Sequence, residues 1–228
     1  METRDSHGKD GAIMSNMRGS LAAAEGRDKE RAAQDSWVPR FGRTERFAHW
    51  WTVGMVAAGL LTGLAMGDDG GSGSLLGMHV GSVVLIGAGL AFAVAFGDRR
   101  ALLRSARRLL SFDRRDAAWV LARLRDPFDR PEEPKWGMFN TGQKLLAWTV
   151  GAGIAAVIVT GVQSWSAGGE GGLHGAAVAV TMALLGAHVF MAVVNPTTRP
   201  ALAGMVFGRV RRSWAAKHHS EWLDGLDR

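Results

Sequence analysis

The 228-residue chain contains no cysteine. Disulfide bonds, thiolate-bound iron–sulfur clusters and covalent c-type haem attachment all require cysteine, so the chain itself can have none of them. Any iron it binds must be held by histidine, methionine or carboxylate side chains. The first 36 residues also lack an apolar run. This absence argues against a secretory signal and predicts a disordered cytoplasmic leader with a short helix around residues 20–34.

Formal charge is almost absent from four long apolar stretches, although the mean hydropathy of the whole chain is close to zero. These stretches are residues 47–66, 75–97, 145–165 and 173–195. Each provides about 20 residues, the length that crosses a hydrocarbon core of about 30 Å as a helix. The sequence therefore predicts an all-α integral membrane protein with a four-helix bundle.

Positive charge is absent from both short loops between these stretches, residues 67–74 and 166–172. Of the 27 Lys and Arg residues, nine lie in the segment through Arg46, twelve between Arg99 and Lys144, and six from Arg199 onward. The positive-inside rule places these three segments in the cytoplasm. We therefore expect cytoplasmic N- and C-termini in a bacterial inner membrane protein. The net charge of +6 indicates attraction to anionic lipid, and no nucleic-acid motif accompanies it.

The basic connection over residues 98–143 has a pattern of its own. Arginines alternate with apolar residues over 101–112 and 116–124, which is typical of amphipathic helices on a membrane surface. Docking to a partner subunit or to lipid headgroups is one interpretation, and a solvated linker is the other. The chain thus divides into the leader 1–36, a membrane domain 37–224 and a tail 225–228.

Four histidines lie in or beside the apolar stretches: His49, His79, His174 and His188. A helix turns about 100° per residue, so the fourteen residues from His174 to His188 return to within roughly 40° of the same direction, about 21 Å further along the axis. One helix can therefore provide a ligand at each of two depths. Depth pairs His79 with His174 towards the outside, and His49 with His188 towards the inside.

Each pair supplies both axial ligands of a b-type haem, so the sequence predicts two haem b groups in the bundle interior. A single zinc or copper site would need its ligands at one depth. A proton-relay transporter would carry acidic or basic residues inside its spans. Both alternatives are disfavoured by the pattern.

Glycines accompany the histidines on the same stretches. Two interpretations remain open for them: room for a flat macrocycle, or close helix packing, which small residues also allow in membranes. The glycines concerned are Gly54, Gly81, Gly87, Gly175 and Gly186.

Three segments carry a family resemblance: RTERFAHW at residues 43–50, KWGMFNTGQKLLAW at 135–148, and GRVRRSWAAKHHSEW at 208–222. Together they resemble the cytochrome b (gamma) subunit of membrane-bound formate dehydrogenase, a dihaem cytochrome b. The resemblance covers roughly residues 37–224. The arginine-rich approach to the first span is shared widely among two-haem cytochromes b, whereas the other two segments are more particular to the formate dehydrogenase group.

The resemblance implies a route for electrons. The outer haem, on His79 and His174, would accept electrons from an iron–sulfur (beta) subunit, and the inner haem would lie on His49 and His188. A quinone, menaquinone or ubiquinone, would bind beside the inner haem. The residues that match the family's quinone segment are Asn140, Gly142 and Gln143. Asn140 also fits the N-cap of the third span, and this second interpretation stays open.

Formate itself would be oxidised on a molybdenum- or tungsten-containing (alpha) subunit, because the chain has no site for that cofactor. The expected setting is anaerobic or formate respiration. The alternatives are the same electron-transfer role for a nickel–iron hydrogenase or another quinone-linked oxidoreductase, and a stand-alone b-type cytochrome. His218 and His219, in the basic C-terminal segment, are expected at the surface or at a partner contact.

Overall fold

The computed structural model describes residues 6–67, 72–126, 134–166 and 171–227. Its helices and strands, in chain order, are α1 (Ser6–Asp35), β1 (Trp37–Pro39), α2 (Arg43–Met66), α3 (Gly73–Phe96), α4 (Arg99–Leu110), α5 (Arg114–Arg125), α6 (Thr141–Ser166), α7 (Gly172–Val189), a π-helical turn (Phe190–Val194), a 3₁₀ turn (Arg199–Ala201), α8 (Leu202–Phe207), β2 (Arg209–Arg211), α9 (Arg212–His218) and α10 (Ser220–Asp224).

Four helices are long and apolar enough to cross a membrane. They are α2, α3, α6 and the combined segment Gly172–Val194, which joins α7 to the π-helical turn. The predicted all-α class is confirmed, and so is the prediction of four apolar helices of membrane-spanning length. Helices α2 and α6 begin before the predicted apolar stretches, because their first turns are polar and helical geometry does not stop where hydropathy does.

The N-terminal segment is one helix, α1, and it extends well beyond the short helix predicted over residues 20–34. Good helix formers dominate its second half. There Lys29 pairs with Glu25 one turn earlier at 2.7 Å. The C-terminal end of α1 is tied to β2, since the Arg211 guanidinium donates to the backbone carbonyl of Asp35 at 3.3 Å.

The spans form two tightly packed hairpins, α2 with α3 and α6 with α7. In the first hairpin, Trp51 Nε1 donates to the Leu85 carbonyl at 2.7 Å. A Cβ on Gly89 would come within 2.0 Å of that same nitrogen, so only glycine fits there. In the second hairpin, a Cβ on Gly153 would lie 2.8 Å from Thr181 Oγ1. Small residues thus allow close approach within each hairpin.

Between the hairpins the described spans approach each other only sparsely, which leaves a cleft. The architecture is therefore a pair of hairpins facing a cleft. The helices pack tightly within each hairpin and loosely between hairpins, so the packing is less even than in the predicted four-helix bundle. One end of the cleft, where α2 and α6 end and α3 and α7 begin, is called the loop end. The other end, where α2 and α6 begin, is called the capped end.

The capped end is covered by a small polar domain, called the cap, made of β1 with the following Arg40, residues 134–140 and the elements from α8 to α10. Strands β1 and β2 pair antiparallel, with Trp37 opposite Arg211 and Pro39 opposite Arg209. Gly208, at φ +79°, makes the turn into β2, and its carbonyl accepts from the Arg40 backbone N–H at 2.8 Å. The buried apolar cluster of the cap consists of Val38, Met138, Val210, Ala215, Trp222 and Leu223.

Candidate cofactor site

The four predicted histidines meet as two pairs across the cleft. The ring centroids of His79 and His174 lie 6.2 Å apart near the loop end. Those of His49 and His188 lie 6.3 Å apart near the capped end. Each pair joins one histidine of the first hairpin to one of α7, and these are the pairings expected from depth.

Both separations suit two imidazoles on opposite sides of one metal ion. A bond from a metal to an imidazole nitrogen is about 2 Å long, and the ring centroid lies roughly 1 Å behind that nitrogen. Two such rings around one ion therefore place their centroids about 6 Å apart. Among the described residues, no group of three or more His, Asp or Glu side chains gathers around a common point.

The pair near the loop end, His79 and His174, is held by backbone carbonyls of neighbouring spans. His79 Nδ1 lies 2.8 Å from the Gly59 carbonyl of α2. His174 Nδ1 lies 3.1 Å from the Val157 carbonyl of α6. A carbonyl oxygen can only accept, so Nδ1 carries the proton in both rings, and Nε2 keeps its lone pair for a metal.

The pair near the capped end, His49 and His188, has a different environment. His49 contacts Trp50 edge-on, with ring centroids 5.3 Å apart. His188 lies in the last turn of α7, directly before the π-helical turn Phe190–Val194. Such single π turns are rare and occur often at functional sites. The Trp50 indole in turn donates to the Met205 carbonyl at 3.0 Å, which links this part of α2 to the cap.

The structure separates the two interpretations of the glycines. A Cβ added at any of the five singled-out positions would meet nothing within 4 Å; these positions are Gly54, Gly81, Gly87, Gly175 and Gly186. The close contacts between helices fall on other glycines, including Gly89 and Gly153. The five glycines therefore border open space and pack against no other helix in the described part of the chain. An open apolar groove of about 560 Å³ runs along α3 past Gly81 to Trp165 of α6.

The predicted quinone segment begins α6 as a reciprocal cap. Asn140 Oδ1 accepts from the Gln143 backbone N–H at 2.9 Å, and Gln143 Oε1 accepts from the Asn140 N–H at 3.1 Å. This is the N-cap interpretation of Asn140, with Gln143 as its partner. A Cβ on Gly142 would make only ordinary contacts, 3.6 Å from Asn140 Oδ1.

A buried ion pair lies next to this segment. Asp116 of α5, fully buried, accepts from Lys144 Nζ at 2.7 Å and from Thr141 Oγ1 at 2.6 Å. Burial alone would raise the pKa of Asp116, but the hydrogen bonds from Lys144, Thr141 and the Asp113 backbone outweigh it, so the pKa lies below its ordinary value. The ion pair borders a separate surface pocket of about 360 Å³ and fixes α5 to the start of α6.

The expectation for His219 is wrong, because its side chain is fully buried in the cap. His219 Nδ1 donates to the Gly137 carbonyl at 2.7 Å, and Nε2 accepts from Arg40 Nη2 at 3.2 Å. Burial, and then the charge of Arg40, lower the pKa of His219 to about 3. The imidazole is therefore neutral and joins segments that are far apart in the sequence.

Arg40 is the buried cation of the cap. Its Nη2 also donates to the Met138 carbonyl at 2.8 Å. Its Nε and Nη1 have no hydrogen-bond partner in the described part of the chain. Aromatic rings surround the guanidinium instead, with Trp214 5.0 Å and Trp222 5.5 Å from its central carbon. Burial lowers the pKa of Arg40 to about 9, so it stays charged at neutral pH.

The three segments that carry the resemblance converge here. Arg46 Nη1, in the first segment, donates to the Val206 carbonyl at 2.9 Å, just before the third segment. The Trp222 backbone N–H, in the third, lies 3.4 Å from the Trp136 carbonyl in the second. The only signal for this cap in the sequence is the tryptophan content of the short polar segments, which is more than a solvated tail needs.

Comparison with known proteins gives consistent relatives. The family model for prokaryotic cytochrome b561 matches residues 40–208. The chain is 28% identical over 103 residues to the cytochrome b556(Fdn) subunit of the nitrate-inducible formate dehydrogenase of Escherichia coli K12, covering 40% of this chain and 46% of that protein. It is 29% identical over 97 residues to the formate dehydrogenase cytochrome b556 subunit of Haemophilus influenzae, covering 38% and 40%. The matched region is less than half the length of these relatives.

Proposed function

Since the chain belongs to the prokaryotic cytochrome b561 family, we propose that it is the membrane-anchoring dihaem cytochrome b subunit of a formate dehydrogenase. Electrons from an iron–sulfur subunit would cross the membrane through two b haems to a quinone. A separate molybdenum or tungsten subunit would oxidise formate. The observation that carries the proposal is the pair of histidine couples across the cleft, with centroid separations of 6.2 and 6.3 Å.

Three features of this chain suit haem at these positions. The centroid separations leave room for one iron between the rings of each pair. The Nδ1 hydrogen bonds of His79 and His174 direct their free Nε2 lone pairs away from the helix backbone. The five glycines border open space, which a flat macrocycle could occupy. When bound, each haem supplies one-electron transfer between ferric and ferrous iron.

The charge distribution supports one orientation of the proposed subunit. The cap and helices α4 and α5 hold most of the basic residues of the described chain, and they lie at the capped end. By the positive-inside rule this end faces the cytoplasm and the loop end faces outward. His79 and His174 would then belong to the haem that receives electrons, and His49 and His188 to the haem that passes them on.

The quinone site is proposed at Asn140, Gly142 and Gln143, next to the cap. The reciprocal cap uses the side-chain oxygens of Asn140 and Gln143. It leaves their NH₂ groups to donate to a quinone carbonyl. Gly142 is exposed between them, so a flat ring could approach its backbone. Capping and quinone binding are thus compatible roles for the same amides.

The proposal is tested by purifying the full chain from membranes. Two b haems per chain are expected by pyridine haemochrome analysis. His188→Ala should keep one of them, since only the inner pair loses a ligand. A variant that retained both haems would contradict the pairing.

The formate assignment is tested separately. Gentle extraction of the native complex should copurify a molybdenum- or tungsten-containing subunit together with an iron–sulfur subunit, and formate should reduce both haems. Copurification of a nickel-containing subunit in its place would contradict the assignment of formate as the electron donor. The haem assignment would be unaffected.

A further inference from the structure

Two threonines occupy matching positions beside the outer histidines. Thr62 Oγ1 of α2 lies 3.3 Å from His79 Nδ1. Thr160 Oγ1 of α6 lies 3.3 Å from His174 Nδ1. The two hairpins thus surround their outer histidines in the same way, each with one threonine and one backbone carbonyl.

The proton of each hydroxyl is already used. Thr62 donates to the Ala58 carbonyl at 2.7 Å, and Thr160 donates to the Ala156 carbonyl at 2.7 Å. Each threonine oxygen therefore turns a lone pair towards the imidazole. Because Nδ1 carries the proton, it donates to two acceptors at once, the carbonyl and the hydroxyl.

A glycine follows each threonine and brings the ring close. A Cβ on Gly63 would lie 3.2 Å from His79 Cε1, and one on Gly161 would lie 3.2 Å from His174 Cε1. The repeated Thr-Gly dipeptide thus provides both the acceptor and the space for the ring that donates to it.

The inner histidines have no such partners. In the ranges that the structure describes, no hydrogen bond reaches the ring of His49 or of His188, and their contacts are aromatic. The four proposed ligands therefore fall into two classes, which coincide with the two proposed haems.

We propose that Thr62 and Thr160, acting with the Gly59 and Val157 carbonyls, are positioning residues that set the reduction potential of the outer haem below that of the inner haem. A hydrogen bond donated from Nδ1 makes an imidazole a more basic ligand. A more basic ligand favours the ferric state, with its extra positive charge, and so lowers the potential. Electron flow from the outside to the inside is then downhill. This inference rests on the proposed haem ligation.

The test is a potentiometric titration of the purified full chain, followed by haem absorbance. The unmodified protein should show two waves, and His188→Ala, which keeps only the outer haem, should identify the lower wave as the outer one. In the double variant Thr62→Val/Thr160→Val the outer wave should rise and the inner wave should stay in place. The equilibrium constant for electron exchange between the two haems should change at least about threefold. At about 59 mV per tenfold change, this corresponds to a shift of roughly 30 mV in the potential of the outer haem.

Two further variants separate this role from packing. Thr62→Ser/Thr160→Ser keeps both hydroxyls and should restore the potential. Thr52→Val removes a hydroxyl of the same helix that donates to the Ala48 carbonyl at 2.8 Å and makes no hydrogen bond to a histidine in the described part of the chain, so the outer wave should not move.

The inference is overturned if the two haems of the unmodified chain have equal potentials or the reverse order, or if the valine variant leaves the outer wave unchanged. If that variant loses its outer haem, the shift of the outer wave cannot be measured in it. The order of the two potentials in the unmodified chain then decides whether the inference holds. Haem content is measured on the same samples. Two haems with unaltered potentials would refute this inference alone, whereas fewer than two in the unmodified chain would refute the proposed function.

Discussion

Replacing His219 with glutamine should flatten the acid dependence of the cap's stability. The pKa of His219 falls from the ordinary value of 6.5 to about 3 in the folded protein. Between these two values the unfolded chain binds a proton that the folded chain does not. The stabilisation is therefore complete above about pH 6.5 and is lost progressively as the pH falls towards 3.

The size of the effect follows from the two pKa values. One proton gives a slope of about 1.4 kcal/mol per pH unit. Integrated from pH 6 to pH 4, this amounts to roughly 2.5 kcal/mol of unfolding free energy. His219 is fully buried, so solvent screening reduces the figure little.

Thermal unfolding in detergent, followed by tryptophan fluorescence at several pH values between 4 and 7, measures this slope. Trp136 and Trp222 are buried in the cap and report on its opening. His218→Gln is the matched control, because the charge of this adjacent histidine is the smallest of the influences on the pKa of His219, so most of the pH slope should remain. Equal pH slopes for the unmodified chain and His219→Gln would refute the reasoning.

Three other perturbations follow from the geometry. Asp116→Asn should destabilise the start of α6 by about 3–5 kcal/mol, seen as a lower melting temperature, because it leaves the Lys144 ammonium without its carboxylate; an unchanged melting temperature would contradict this. Gly161→Ala should push the ring beside it and alter the outer haem spectrum, whereas Gly26→Ala, in α1 outside the four spans, should not. Gln143→Ala should slow quinone reduction by the purified complex while formate still reduces both haems, and unaltered turnover would restrict the residue to its capping role.

The spans and the histidine pairs were within reach of the sequence because both depend on local periodicity. Uncharged runs of about 20 residues define the helices, and a step of fourteen residues fixes which two histidines of α7 share a direction. The glycines were not within reach. Gly81 and Gly89 lie on the same helix, and only the position of Trp51 shows that one faces open space while the other is needed for packing.

The cap could not be predicted either, for a related reason. Its strands are three residues long, too short to show a period, and its contacts join residues very far apart in the chain. Arg40 and His219 are separated by 179 positions. Each lies in a charged segment that suggests a solvated surface. Their burial depends on aromatic side chains contributed by other segments, such as Trp214.

The division of the proposed haem ligands between the hairpins has a consequence for assembly. Each histidine couple takes one member from the first hairpin and one from α7, so neither hairpin alone contains a complete couple. A chain divided between α5 and α6 would yield two fragments that each carry two of these four histidines, and neither fragment would contain both members of a couple to hold a haem. Coexpression of the two fragments is then expected to restore haem binding, and the bound cofactor would hold the two fragments together.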